Sequence, residues 1–121
     1  MTNGITINNG ALYSEELLSD EQLDKVQGGI ATELVVAGIT LLIERSISEA
    51  GDIKNLVTSA EYKAMSNTEK NKRLGKELAN SPALNVILGG LATPFAVIGA
   101  QIKWRKSGTS DGLRGAIESI F

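Results

Sequence analysis

Near neutral pH most protein chemistry runs through histidine or cysteine, and this chain of 121 residues has neither. Without cysteine there is no thiolate nucleophile, no thiolate metal site, no disulfide and no lanthionine ring. Without histidine the usual general base and the commonest zinc ligand are missing. Carboxylates, lysines and hydroxyls remain, and they form no Gly-rich phosphate loop behind a strand pattern, no nucleophile elbow and no paired carboxylates in a cleft motif. The expectation is a protein that is not an enzyme and holds no metal or cofactor. One segment has residue types and spacing that bear on a reaction: LSDEQLDKVQGG, residues 18–29, where Gly28 and Gly29 close a run with apolar residues at helical spacing.

The element that positions those glycines is a helix predicted over residues 12–27. At about 100° per residue Leu12, Leu18, Leu23 and Val26 fall within an arc of roughly 140°, giving one apolar stripe with acidic residues mostly elsewhere. Two glycines then end the helix readily, since either can take the left-handed conformation that closes a last turn. The preceding MTNGITINNG is polar and rich in turn formers, and it lacks the basic and apolar regions of an ordinary secretory signal. Residues 1–29 carry Glu15, Glu16, Asp20, Glu21 and Asp24 against Lys25 alone. The other 92 residues therefore keep 11 of the 12 basic and 9 of the 14 acidic side chains, and the chain divides into an acidic start and a slightly cationic body.

Residues 18–29 resemble the double-glycine leader of class II bacteriocins and related exported peptides. That pattern is Leu-Ser, two variable residues, Glu-Leu, two variable residues, a branched aliphatic, one variable residue and Gly-Gly. Leu18, Ser19, Leu23, Val26, Gly28 and Gly29 match it at fixed spacing, while Gln22 stands where Glu is usual. The resemblance covers a quarter of the chain. It implies recognition by a peptidase-containing ABC transporter whose papain-like cysteine peptidase cuts between Gly29 and Ile30 during export. In that frame Leu18, Ser19, Gln22, Leu23 and Val26 are the recognition positions, and the apolar stripe docks in a hydrophobic groove as a helix-in-groove contact. Gly28 and Gly29 lack side chains, so an extended backbone can enter a narrow cleft beside the nucleophile. A bulky residue at either position is expected to abolish processing. The catalytic thiol is the transporter's.

Beyond residue 29 the patterns are helical, with helices expected near 31–50, 52–65, 67–80, 83–104 and 111–120. The uncharged run 34–43 rises only about 15 Å as a helix, half of a ~30 Å bilayer core, and its Val and Ile content leaves a strand open. Ile53, Leu56, Val57, Ala60 and Ala64 follow one face of a helix starting near Asp52. Ser66 and Glu69 have the spacing of a capping box ahead of Leu74 and Leu78. Ser110 or Asp111 can cap a last helix that places Leu113, Ala116, Ile117 and Ile120 on one face.

The most distinctive body segment is 83–102, 20 residues without a charge. Its length as one helix, about 30 Å, equals a bilayer core. Lys103, Trp104, Arg105 and Lys106 follow it, residues suited to a membrane interface, and Ala92, Ala96 and Ala100 form a ridge on which two helices could pack closely and self-associate. Gly89, Gly90 and Pro94 favour the competing structure, a buried hairpin broken at the glycines or at the proline.

The expected fold is all-α: a leader helix followed by a small bundle of four or five helices, with 83–102 either entering a membrane or folded back. The domains are a leader, 1–29, and a mature helical peptide, 30–121. The precursor is expected in the cytoplasm and the product outside the cell, its target a bacterial membrane or a receptor in it. The mixed charge gives no reason to expect nucleic acid as a partner. The alternative is a soluble helical interaction protein: a bacteriocin immunity protein, or an exported signalling or surface protein.

Overall fold

A computed structural model describes residues 30–121. The predicted leader helix, the recognition positions Leu18, Ser19, Gln22, Leu23 and Val26, and Gly28 and Gly29 lie outside the described residues. Those described form an all-helical fold of seven helices: α1 Thr32–Glu44, α2 Ser48–Thr58, α3 Ala60–Lys63, α4 Asn67–Ala79, α5 Pro82–Leu91, α6 Pro94–Ser107 and α7 Asp111–Ile120. The helical class is as expected, and no strand replaces 34–43. Seven helices stand in place of the expected five because two predicted helices break, and the junction between the first two moves.

α1 ends at Glu44 rather than near residue 50. Ser46 takes φ 56°, the left-handed region. Its N–H donates to Ile43 O at 3.0 Å while the Ile47 N–H reaches back to Leu42 O at 2.9 Å. That pair of bonds is the Schellman closure, normally built on glycine, and Ile47 packs against the core beyond it. The second break falls at Ser59, whose extended backbone ends α2 and whose hydroxyl accepts from the Tyr62 N–H at 3.1 Å to start α3. This re-phases the chain. Ile53 and Val57 remain buried, Ala60 and Ala64 face outward, and Tyr62 becomes the buried residue.

The third break corrects the expectation of one long uncharged helix over 83–102. α5 keeps Gly89 and Gly90 within it and stops at Leu91, and α6 begins at Pro94. A residue before proline is pushed out of the helical region, and Thr93 is extended at φ −141°, ψ 154°. Its hydroxyl then accepts from the Ala96 N–H at 3.0 Å, with Pro94 at the first helical position where its missing N–H costs nothing. No helix among the described residues is long and apolar enough to cross a membrane.

The core takes Val35, Ile39 and Leu42 from α1, Ile53 and Val57 from α2, Leu74 and Leu78 from α4, and Leu84 and Leu88 from α5. Val97, Ala100 and Trp104 from α6 and Leu113 and Ile117 from α7 complete it. α4 begins with the expected capping box: Ser66 Oγ accepts from the Glu69 N–H at 3.2 Å, and Glu69 Oε1 accepts from the Ser66 N–H at 3.1 Å. α4 and α6 approach most closely. A Cβ on Gly75 would lie 2.6 Å from both Gly108 Cα and Trp104 O, and one on Gly108 would lie 2.3 Å from Asn71 O. Gly108 also sits at φ 82°, and just beyond it the Thr109 N–H donates to Asn71 O at 2.9 Å. Two glycines thus let one helix end lie directly on the backbone of another.

Gly75→Ala should therefore lower stability by about 1 to 3 kcal/mol, since backbone rather than a flexible side chain must move. Gly90→Ala, where a Cβ meets nothing within 4 Å, should raise it by about 0.5 to 1 kcal/mol. Ser46→Gly should raise it by about 1 kcal/mol by relieving the left-handed strain. Urea unfolding followed by circular dichroism reads all three.

Candidate functional site

Between Glu77 and Asp111 the chain carries no carboxylate, and its charges there are Lys103, Arg105 and Lys106. This stretch spans α5, the Ala92–Thr93 link and α6. Each helix divides its apolar side chains between two faces. Leu84 and Leu88 of α5 and Val97, Ala100 and Trp104 of α6 are buried, the latter set at i, i+3 and i+7. On the outer face Val86 is 76% exposed and Ile98 53%, with Leu91 also exposed beside the link. These large apolar side chains are left in water on consecutive helices.

The predicted interface residues fare differently from one another. Trp104 is only 4% exposed, turned inward by its place on the buried stripe of α6, so its indole is not at the surface in this fold. Lys103 is half-buried, and Arg105 and Lys106 are exposed. Arg105 also donates to Ala79 O at 3.4 Å, placing a cation at the C-terminal end of α4 where the helix dipole favours one. Ala92, Ala96 and Ala100 do not lie on one helix: the Thr93–Pro94 break leaves Ala92 past the end of α5, and Ala100 packs into the core. Of the predicted cleavage-site residues Gly28, Gly29 and Ile30, only Ile30 is described. It is buried, at 8% exposure, as a member of the core.

Sequence reasoning missed two polar arrangements. In the first, Glu49 of α2 supplies the cap that α5 lacks locally, its Oε1 accepting from the Ser81 hydroxyl and from the Ala83 N–H at 3.0 Å. A carboxylate there satisfies orphan donors and meets the positive end of the helix dipole. The second fastens α7. Arg114 donates from Nε to Asn71 Oδ1 at 2.8 Å and pairs with Asp111 at 3.4 Å and with Glu118 at 3.9 Å. Asn71 donates from Nδ2 to Asp111 Oδ1 at 2.8 Å. The buried Tyr62 hydroxyl donates to Glu118 Oε2 at 2.7 Å, and Lys70 lies 5.7 Å from the ring centroid. Ser110 takes the capping role at the start of α7, accepting from the Leu113 N–H at 3.1 Å, which frees Asp111 for the clamp.

Burial, and then the donated bond to Glu118, push the Tyr62 hydroxyl above the ordinary tyrosine range. It is a protonated donor rather than a nucleophile or base, so the cluster fastens helices instead of moving protons. Among the described residues no group of carboxylates is arranged to hold a metal ion. Comparison with protein-family models, curated proteins and solved structures finds no match.

Because the folded protein holds Tyr62 protonated, its contribution to stability is complete below the unfolded value of about 10 and is lost as pH rises above it. Tyr62→Phe should cost about 1 to 2 kcal/mol at pH 8. That difference should shrink as pH climbs past 10, and phenolate absorbance from Tyr62 should appear only on unfolding. Urea titrations of both proteins between pH 8 and 11 check the sign.

Proposed function

We propose that this chain is the precursor of an exported, unmodified, bacteriocin-like antibacterial peptide. A peptidase-containing ABC transporter recognises residues 1–29 through Leu18, Ser19, Gln22, Leu23 and Val26 and cuts after Gly29, and residues 30–121 then act on target bacterial membranes outside the cell. The observation that carries this reading is the six-position match in LSDEQLDKVQGG, set directly ahead of a helical body.

The exposed apolar side chains of α5 and α6 support the membrane part. α5 has 10 residues, so it rises about 15 Å, the depth of one leaflet's hydrocarbon rather than of the whole ~30 Å core. The helix pair fits a partial insertion, with Val86, Leu91 and Ile98 entering lipid and Lys103, Arg105 and Lys106 meeting anionic headgroups. The absence of carboxylates between Glu77 and Asp111 removes the repulsion such headgroups would otherwise meet.

A second reading, a soluble helical interaction protein exported for signalling or surface assembly, draws support from Trp104. An indole committed to the core gives no interfacial anchor unless the bundle opens. An immunity protein fits less well, since it works inside the producer and has no use for a leader.

Dye release from vesicles separates the readings. Residues 30–121 at micromolar concentration should empty vesicles containing anionic lipid, and Val86→Asp with Ile98→Asp should cut that release at least tenfold while leaving helicity unchanged. Absence of release, together with no inhibition of bacterial growth, would favour the soluble interaction protein.

A further inference from the structure

We infer that the folded body guards its own cleavage site, so that the processing peptidase acts on a chain whose α1 end has not yet docked. The inference rests on the double-glycine reading above and concerns the described side of the bond. Ile30, the first residue after the proposed cut, is a buried member of the core. Ala31 caps α1, its carbonyl accepting from the Leu34 N–H at 2.9 Å and the Val35 N–H at 3.3 Å, and Val35 is itself buried. The backbone is thus committed to a packed helix within two residues of the bond.

A cysteine peptidase of the papain type takes substrate as an extended strand on both sides of the scissile bond. With Ile30 in the core, the residues that must line the primed side of that cleft are occupied by intramolecular contacts. The enzyme can bind them only after Ile30 leaves its site and the first turn of α1 opens. Where such opening is fast and unfavourable, cleavage follows the population of the open form. Releasing one isoleucine side chain to water lowers that population by about 30-fold. The leader is then read before the body folds, which couples cutting to an export-competent chain.

The test uses the full chain and an isolated peptidase domain from a double-glycine exporter, shown first to cut its own substrate. A synthetic peptide of residues 1–40 carries the same bond without the core. The peptide should be cut about 30-fold faster than the folded chain, by kcat/KM. Ile30→Ser, made in both, corrects for any preference of the peptidase at that position: it should close most of the gap in the full chain while changing the peptide little. Leu84→Ala, remote in sequence on α5, should also speed cutting of the full chain, whether it loosens the bundle or unfolds it. Equal rates for peptide and folded chain, or a gap that Ile30→Ser leaves intact, would overturn the inference. A peptide that is not cut at all would instead sink the double-glycine reading.

Discussion

The backbone contact between α4 and α6 constrains everything else in this bundle. Gly75 and Gly108 let the C-terminal end of α6 rest on α4 at a separation that any Cβ would prevent. Fixing that crossing orients the buried stripe of α6, and with it Trp104, toward the core rather than toward solvent. It also sets where the chain emerges after Gly108, so that Thr109 and Ser110 deliver α7 to the Asn71 and Arg114 clamp. α5 follows from the same geometry, because its start is tied to α2 through Glu49 and its end to α6 through two residues.

Much of the fold was legible in the residues. The 3.6-residue period marked the buried face of α2 at Ile53 and Val57, the Ser66–Glu69 capping box located the start of α4, and Ser110 with Leu113 and Ile117 located α7. Helix ends were harder to place, for identifiable reasons. The stop of α1 depends on a serine in a conformation usually left to glycine, and a serine carries no such signal in sequence. The break at Ser59 is a local cap inside an unbroken amphipathic pattern, so the apolar period ran straight through it. Thr93–Pro94 did carry a signal, a capping residue followed by proline, but it competed with the glycine pair at 89 and 90, which the helix absorbs.

The candidate site was only partly readable. An uncharged segment of 20 residues has one appearance in sequence whether it faces lipid or a core. The fold resolves this by using both faces: Leu84, Leu88, Val97 and Trp104 build the interior, while Val86, Leu91 and Ile98 remain outside. Trp104 looked like an interfacial anchor because it lies among cations, and only its helical phase relative to Val97 and Ala100 puts it inside. The Tyr62–Glu118 and Arg114–Asn71 contacts join residues more than 40 positions apart and leave no local trace. The buried Ile30 was equally invisible, since one isoleucine after two glycines reads as the first residue of a product rather than as part of a core.

We propose that the acidic segment 1–29 addresses the chain for export, ahead of a folded helical body that leaves Val86, Leu91 and Ile98 exposed. The central claim is release between Gly29 and Ile30, and intact-mass spectrometry of the culture medium, from cells co-expressing the chain with a double-glycine exporter, tests that claim most directly. The account predicts a secreted species of 92 residues beginning at Ile30. A secreted product that keeps Met1 and the whole of residues 1–29 would contradict it.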